Sequence, residues 1–442
     1  MRSLALVLLA SCWSCGAKPP TVDEPDHEVG SPATRGSGDP MPATESKAIS
    51  DAIVHVYEAL TVKTVAPGDP ARIREAAVFS LGWTAPIPWT TDPEKDRGLL
   101  RGVVRALVQT HKLPKDAVLR AARAMGVWSG DLQTYGVDPP GFAALFGLIG
   151  GNATTQVGMT YHKIDATQWA VSDVVTGGAA ARAGVARGDV LVSIDGQQVA
   201  HGWKDFQYLL GARTGTSATL VVRHGMTERS LALTMSPVAA PIVESKMIGN
   251  VGYMRVWTCT HSDSAKLDAA ALAQKALGEL DRKGTKKLVL DLRGNAGGFP
   301  FDLVSLFTDV ETLMYALPDH GDEQAVPRTK ITAWKTTRPI VVLVDEGTAS
   351  GAEMIALALR EHVAAVIVGK PTAGGLTFPT TEQLVGNVTL SYPTMRVATV
   401  KDKQLQPGNR IIPEIDAANP TAEDYAAKRD PQLEAAIAVF KK

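Results

Sequence analysis

The sequence contains little cysteine, almost no excess charge and no long apolar run beyond its first residues, and each shortage excludes a class of protein. Three cysteines in 442 residues, Cys12, Cys15 and Cys259, are too few for a disulfide scaffold. A formal net charge of −1 without a Lys/Arg block disfavours nucleic acid as a partner. No segment after the N-terminus reaches the roughly 18 apolar residues of a membrane-spanning helix.

Recognisable cofactor motifs are also absent from the sequence. No Cys or His pair has the spacing of a zinc site, and neither a P-loop nor a dinucleotide-binding fingerprint occurs. We therefore expect no cofactor and no bound metal.

The first residues have the pattern of an export signal. Arg2 supplies a positive charge, residues 4–10 are apolar, and the Leu-Ala-Ser-Cys segment ending at Cys12 is similar to a bacterial lipobox. We expect residues 1–15 to be a lipoprotein signal peptide and lipobox with lipidation at Cys12, while Cys15 is the weaker candidate. The protein would then be anchored to a bacterial membrane in the cell envelope, facing the periplasm or exterior. A plain signal peptide with an incidental cysteine is the alternative.

A chain of this length predicts two or three domains. Residues 16–45 are rich in Pro, Gly, Ser, Thr and Asp, which indicates a disordered linker. Apolar residues at helical spacing, such as Ile49, Ile53 and Val56, predict a helical domain over 46–150. Short strands separated by turns occupy 151–240, and strands alternating with helices occupy 241–442. The predicted fold class is multidomain α/β, with a largely parallel sheet in the last domain.

The module at 151–240 resembles a PDZ domain. Residues 185–196 read VARGDVLVSIDG, which matches the family's Gly-Asp turn, strand and Asp-Gly turn. The resemblance places Val157, Gly158 and Met159 in the loop that binds a peptide's terminal carboxylate, so that the peptide adds as a β-strand. The alternative is a small β-domain used only for packing.

The last domain is similar to the tail-specific, or C-terminal processing, serine peptidases. Four segments carry the resemblance in the family's order: GYMRV at 252–256, LDLRGNAGG at 290–298, DEGTASGAE at 345–353 and GKPTAG at 369–374. The resemblance spans roughly residue 50 to the end of the chain. It implies polypeptide substrates or C-terminal tail peptides as partners.

The resemblance makes Ser350 the nucleophile. The serine follows a predicted strand and begins a predicted helix, a usual position for an exposed nucleophile. A Ser followed three residues later by a Glu, here Glu353, is also a capping box that needs no catalytic role.

The resemblance also assigns an oxyanion hole to Gly297, Gly298 and Gly351. Glycine allows the backbone to turn tightly and approach a substrate closely, and backbone N–H groups stabilise a developing oxyanion. A turn that merely requires positive φ is the alternative for Gly297 and Gly298.

Both general bases known in the family are replaced in this chain. Members of the Ser-Lys type carry a lysine where this sequence has Gly375, and a related subgroup carries a histidine where it has Gln133. A serine hydroxyl is a poor nucleophile until a neighbouring base accepts its proton.

Three residues are candidate substitutes for the base. Lys370 follows the same predicted strand as Gly375, but an ordinary surface lysine is the alternative. His261 follows the Gly-Tyr-Met-Arg strand, and Glu353 lies one helical turn beyond Ser350. A surface histidine and a helix-stabilising carboxylate are the corresponding alternatives.

The sequence therefore leaves three functions open. The first is a serine endopeptidase acting on exported proteins with a non-standard base. The second is a catalytically inactive pseudopeptidase that binds peptides as a scaffold, because loss of one triad member typically lowers turnover by about 10⁴- to 10⁶-fold. The third, a crotonase-like acyl-CoA enzyme, is disfavoured by the PDZ module and the export signal.

Overall fold

The structure, a computed structural model, describes residues 41–441 except 91, 111, 130, 132, 140–153, 156, 166–167, 200–214, 240, 263–265, 332–333 and 335–337. The expected signal peptide with Cys12 and most of the expected linker lie outside the described residues. The described residues form two compact units. One contains the residues up to Asp138 together with Pro379–Thr394, and the other contains Pro139–Phe378 and the residues from Met395 onward.

The secondary structure has the following bounds. The helices are α1 Ala43–Glu58, α2 Pro70–Ser80, α3 Pro93–Gln109, α4 Ala117–Trp128, α5 Ala179–Ala183, α6 Ala269–Arg282, α7 Phe301–Phe307, α8 Gly351–Val363, α9 Ala422–Ala426 and α10 Pro431–Val439, and a π-helical turn, Ala59–Lys63, extends α1. The strands are β1 Tyr135–Val137, β2 Thr154–Thr155, β3 Met159–Lys163, β4 Trp169–Val174, β5 Val190–Ile194, β6 Gln197–Gln198, β7 Ser217–His224, β8 Thr227–Thr234, β9 Val238–Ala239, β10 Val243–Ile248, β11 Val251–Val256, β12 Lys287–Asp291, β13 Thr312–Pro318, β14 Gln324–Pro327, β15 Ile340–Val344, β16 Val366–Gly369, β17 Thr377–Leu384, β18 Val388–Ala398 and β19 Ile415–Asp416.

The first unit is a helical bundle completed by a distant part of the chain. Asp69 and Asp92 cap the N-termini of α2 and α3, and a proline follows each at the first helical position. Helix α1 begins at Ala43, within the segment expected to be a disordered linker, which corrects the end of that linker. Leu390 of β18 joins the buried core of this unit, because β1 pairs with β18 in antiparallel register. A domain boundary drawn along the sequence does not capture this return of the chain.

The PDZ-like module is a mostly antiparallel sheet in the order β3-β4-β5-β7-β8, with β6 beside β5. Asp195 and Gly196, with φ of 48° and 78°, form the tight turn between β5 and β6 that the Asp-Gly pair predicts. Asp189 of the Gly-Asp turn is fully buried, and its carboxylate binds Arg229 and His224. The characteristic Asp therefore fixes this turn from inside.

The last domain contains the predicted largely parallel sheet, in the order β10-β11-β12-β15-β16-β19. β10 pairs with β11 in antiparallel fashion, and the remaining neighbours are parallel. The central strand β15 is buried along its whole length, as expected for a parallel strand covered on both faces. The predicted α/β fold class is confirmed.

A second sheet was not predicted from the sequence. β13 pairs with β14 and with the Met395–Ala398 end of β18, and β17 also pairs with β18. The pairing of β13 with β18 joins residues about 80 positions apart in the chain, so local periodicity carried no signal for that partner. Among the described helices, none combines the length and apolarity needed to cross a membrane.

Candidate functional site

The candidate site lies where three neighbouring parallel strands end. β12, β15 and β16 are adjacent in the sheet, so their carboxyl ends emerge at the same edge. The turns that follow them carry the Gly-Gly segment, Ser350 and Gly375. Two backbone bonds tie these turns together: Ala349 N–H donates to the Asn295 carbonyl at 2.9 Å, and Ala373 N–H donates to the Thr348 carbonyl at 3.0 Å.

Ser350 has a backbone conformation that side-chain-bearing residues rarely adopt, with φ 49° and ψ −119°. It is the N-cap residue of α8, and its N–H donates to Glu353 Oε2 at 2.8 Å. Such conformations cost about 1–3 kcal/mol and cluster at active sites. The sharp strand-to-helix turn therefore presents Ser350 as a nucleophile elbow does.

The Gly-Gly turn packs directly against Ser350. A Cβ on Gly297 would lie 2.8 Å from the Ser350 Cβ and from the Gly351 nitrogen, and a Cβ on Gly298 would lie 2.5 Å from the Cys259 carbonyl oxygen. The two glycines also have φ of 103° and 123°. Close approach and positive φ together require glycine at both positions.

The N–H groups around this turn differ in whether they already have an acceptor within the protein. Gly297 N–H donates to the side-chain oxygen of Asn295 at 2.9 Å, so it is already committed within the protein. The Cys259 N–H donates to the Gly297 carbonyl, and the Cys259 carbonyl accepts from the Phe299 N–H. These two bonds lie on either side of Gly298. Gly351 is the first residue of α8, where helical N–H groups have no intrahelical acceptor. Gly298 and Gly351 are therefore better placed than Gly297 to donate to an oxyanion.

The side chain of Glu353 is fully buried beneath the site. Beside the Ser350 N–H, it accepts the Gly374 N–H at 3.0 Å, the Gly375 N–H at 2.6 Å and the Thr372 hydroxyl. Burial raises the pKa of Glu353 to about 7, although these four donors act in the opposite direction. These contacts reach the backbone of Ser350 and of the Gly374–Gly375 turn, so Glu353 holds the two turns together.

The two positions of the usual bases are occupied by residues without a titratable side chain. Gly375 lies against Ser350, because a Cβ there would be 3.0 Å from the Ser350 nitrogen and 3.1 Å from Glu353 Oε2. Gln133 belongs to the first unit, where it is buried and its N–H donates to Asp131 Oδ1 at 2.7 Å. Neither side chain can accept a proton near neutral pH.

The other candidate bases have carboxylate partners. Lys370 directly follows β16, and its Nζ donates to Asp416 Oδ1 at 2.7 Å, whereas a general base needs a neutral amine. His261 is half-exposed, and its Nδ1 lies 3.2 Å from Asp268 Oδ2 and 3.3 Å from Asp302 Oδ2. Its ring packs 5.0 Å from the ring of Phe299, the residue after Gly298. The structure thus places His261 beside the Gly-Gly turn.

Sequence reasoning overlooked the residues that support this turn. Arg293 Nη2 donates to Asp291 Oδ2 at 2.6 Å and to Asp430 Oδ2 at 2.8 Å, and its Nη1 donates to Asp430 Oδ1 at 2.9 Å. Burial would raise the pKa of Asp291, but the charge and hydrogen bonds of Arg293, the charge of Arg255 and the hydrogen bond from Tyr253 together outweigh burial and lower that pKa to about 2. Asn295 is fully buried and also donates to the Val256 carbonyl. Both residues belong to the LDLRGNAGG segment, so a signal was present, but their contacts are tertiary.

The expected peptide-binding edge of the PDZ-like module contacts the last domain. The Gly158 carbonyl accepts from Val175 on the β4 side, so Tyr161 and Lys163 direct their backbone groups to the opposite edge of β3. On that edge the Lys163 carbonyl accepts a bond from Asn419 Nδ2 at 2.7 Å. Gly158 has φ 74° and follows the buried Val157, with Met159 half-buried at the start of β3.

Comparisons with known proteins identify both modules. Residues 250–417 match peptidase family S41, and residues 170–224 match the PDZ domain. The chain therefore carries an S41 peptidase domain and a PDZ domain, the pair of modules expected from its resemblance to the carboxyl-terminal-processing peptidases. The resemblance stated from the sequence is confirmed.

Particular relatives agree with this family. The chain is 29% identical over 217 residues to carboxyl-terminal-processing peptidase 2, chloroplastic, of Arabidopsis thaliana, covering 46% of this chain and 41% of that protein. It is 26% identical over 261 residues to a probable CtpA-like serine protease of Staphylococcus haemolyticus, covering 56% of this chain and 51% of that protein. The matched segments thus span about half the length of these relatives or less.

Solved structures support the fold. A photosystem II D1 C-terminal processing protease has a TM-score of 0.55 at 22% identity, covering 84% of this chain and 93% of that one. Mature CPAF in complex with lactacystin has a TM-score of 0.52 at 15% identity, covering 90% and 98%.

Proposed function

We propose that this protein is a serine-type endopeptidase that cleaves exported proteins or their C-terminal tails. Ser350 attacks the scissile carbonyl, the N–H groups of Gly298 and Gly351 stabilise the oxyanion, and Glu353 holds the nucleophile turn. The PDZ domain would bind the tail of the polypeptide substrate as an added strand.

One observation carries this proposal: the strained Ser350 packs against Gly297, where both the positive φ and the lack of space for a Cβ require glycine. A turn that only capped a helix would need neither φ 49° at the serine nor a Gly297 whose Cβ would stand 2.8 Å from the Ser350 Cβ. Strain of this kind persists where the surrounding structure enforces it, most often at functional sites.

A second candidate is favoured by a different observation. Gly375 occupies the lysine position, and Lys370 is held by Asp416. A chain without a working base would be a pseudopeptidase that binds tails as a scaffold, since a general base contributes about 10²- to 10⁴-fold to the rate.

The deciding experiment measures cleavage of an unfolded model protein, and of peptides with apolar C-termini, by the full chain. We expect cleavage that Ser350→Ala abolishes and that Ser230→Ala, which changes an exposed serine on β8, leaves intact. His261→Ala and Lys370→Ala would then identify the proton acceptor. Binding of the same peptides without cleavage would instead establish the pseudopeptidase.

The proposal includes a location in the cell envelope. The N-terminal sequence supports lipidation at Cys12, which would anchor the protein to a bacterial membrane facing the periplasm or exterior. Labelling of producing bacteria with a fatty-acid analogue should mark the wild-type chain and not Cys12→Ser. Equal labelling of both chains, or of neither, would contradict lipidation at Cys12.

A further inference from the structure

We infer that His261, Asp268 and Asp302 form a binding site for a divalent first-row transition metal ion such as Zn²⁺. Each residue offers one ligand atom, and the three atoms all lie within 4.8 Å of one another. The residues come from the segment after β11, the N-terminus of α6 and the first turn of α7. Their distances along the sequence explain why a search for closely spaced ligands indicated no metal site.

The distances from His261 to the two carboxylate oxygens fit neighbouring ligands of a single ion. His261 Nδ1 lies 3.2 Å from Asp268 Oδ2 and 3.3 Å from Asp302 Oδ2. With metal–ligand bonds of about 2.1 Å, adjacent ligands lie about 3.0 Å apart in an octahedral site and about 3.4 Å apart in a tetrahedral one. Both measured distances fall between these values.

Charge also favours a cation at this position. His261 Nδ1 can carry one proton at most, yet two carboxylate oxygens approach it. Within the described part of the chain, Asp268 and Asp302 both contact the His261 ring nitrogen. One shared proton leaves a carboxylate without a full partner, whereas a divalent ion bound to a neutral imidazole compensates both charges.

Hydrogen bonds from two backbone N–H groups hold the Asp268 carboxylate in place before an ion binds. Asp268 Oδ1 accepts the Ala271 N–H at 2.8 Å, and its Oδ2 accepts the Ser262 N–H at 3.2 Å. Its side chain is only 12% exposed, against 22% for Asp302 and 48% for His261. An ion can therefore enter from the His261 side, and water can complete its coordination.

The ligand set determines the class of metal. One imidazole nitrogen with two carboxylate oxygens suits Zn²⁺, Mn²⁺ or Co²⁺, whereas Mg²⁺ and Ca²⁺ prefer oxygen ligands alone. Because the His261 ring packs on Phe299, directly after Gly298, an ion here would restrain one flank of the Gly-Gly turn.

The test uses the full chain after removal of metals with a chelator. Titration calorimetry with ZnCl₂, and visible absorption with CoCl₂, should show one site that is lost in His261→Ala and weakened at least about tenfold in Asp302→Asn. His320→Ala, which changes an exposed histidine elsewhere, is the matched control and should bind as the wild type does. ZnCl₂ should also raise the melting temperature of wild type and not of His261→Ala.

Asp302→Asn keeps the size of the side chain, so it tests the site even if another variant folds poorly. Unchanged zinc binding in both variants would overturn the inference. Binding of Mg²⁺ as tight as that of Zn²⁺ would overturn the assignment of a nitrogen ligand.

Discussion

Gly375 lies so close to Ser350 that a Cβ on the glycine would stand 3.0 Å from the serine's backbone nitrogen. The position at which the family's Ser-Lys members carry their base is therefore adjacent to the nucleophile in this chain. Gly375 is absent from the glycines with positive φ, so its backbone permits a side chain. Its neighbours decide whether that side chain can fit.

The closeness of Gly375 to Ser350 predicts the effect of placing a lysine at position 375. We expect Gly375→Lys to increase Ser350-dependent peptide cleavage by about 10²-fold, because a positioned base contributes about 10²- to 10⁴-fold. The measurement is the steady-state rate on a tail peptide. Gly375→Ala, which adds the Cβ without the amine, should show no increase, and Ser350→Ala should cancel the gain. An increase that survives Ser350→Ala would contradict the placement of these residues.

The close approach of Gly297 to Ser350 can be separated from the backbone conformation of Gly297. Gly297 and Gly321 have nearly equal φ, 103° and 104°, but a Cβ on Gly321 would meet nothing within 4 Å. We expect Gly321→Ala to lower the free energy of unfolding by about 1–2 kcal/mol, and Gly297→Ala by about 1–3 kcal/mol more. Urea denaturation measures both. Equal losses would show that the turn has room for a side chain.

The buried Glu353 should make stability depend on pH. Its pKa is about 7 in the folded protein and about 4.3 in an unfolded chain, so the folded state binds the proton more tightly. The free energy of unfolding should therefore fall as pH rises from about 4.3 to about 7, by an amount on the order of 3 kcal/mol from this group.

Denaturation at several pH values compares wild type with Glu353→Gln. The variant should lose this part of the slope, and Glu434→Gln on the exposed face of α10 should keep it. At pH 5, where Glu353 is protonated in the folded protein, we also expect Glu353→Gln to be less stable by about 1–3 kcal/mol, because an amide nitrogen in place of one oxygen cannot accept a backbone N–H, whereas the protonated carboxyl oxygen still can. A slope that is unchanged in Glu353→Gln would show that this carboxylate does not titrate in the range.

The contact between Asn419 and Lys163 predicts how tail peptides gain access to the PDZ domain. Asn419 Nδ2 donates to the Lys163 carbonyl on the edge of β3 that a peptide would use. Because such a bond is worth about 0.5–1.5 kcal/mol, Asn419→Ala should tighten peptide binding by about 2- to 10-fold. Fluorescence polarisation with a labelled tail peptide measures this, with Asn250→Ala at an exposed turn as the control. Weaker binding in Asn419→Ala would mean that the asparagine assists the peptide.

Much of the last domain could be predicted from sequence. The strands Val251–Val256 and Ile340–Val344 lie where the sequence predicts strands alternating with helices, because continuous apolar runs between turn signals define buried parallel strands. The helix Ala269–Arg282 follows the same predicted pattern, and the Asp268 side chain caps its first turn. Capping contacts depend on the fold around them, so helix ends were less predictable than helix centres.

The sequence by itself determined the order of the modules, the family and the identity of the Ser350 and Gly-Gly segments, because these depend on local patterns of residues. Only the tertiary structure decided that the Gly297 N–H is committed to Asn295, that Lys370 is paired with Asp416, and that β3 contacts Asn419. It alone brought His261 to Asp268 and Asp302. The physical reason is the same in each case: hydrogen bonds and charges act over a few ångströms in space, and residues far apart in the chain become neighbours only when the sheet and its turns form.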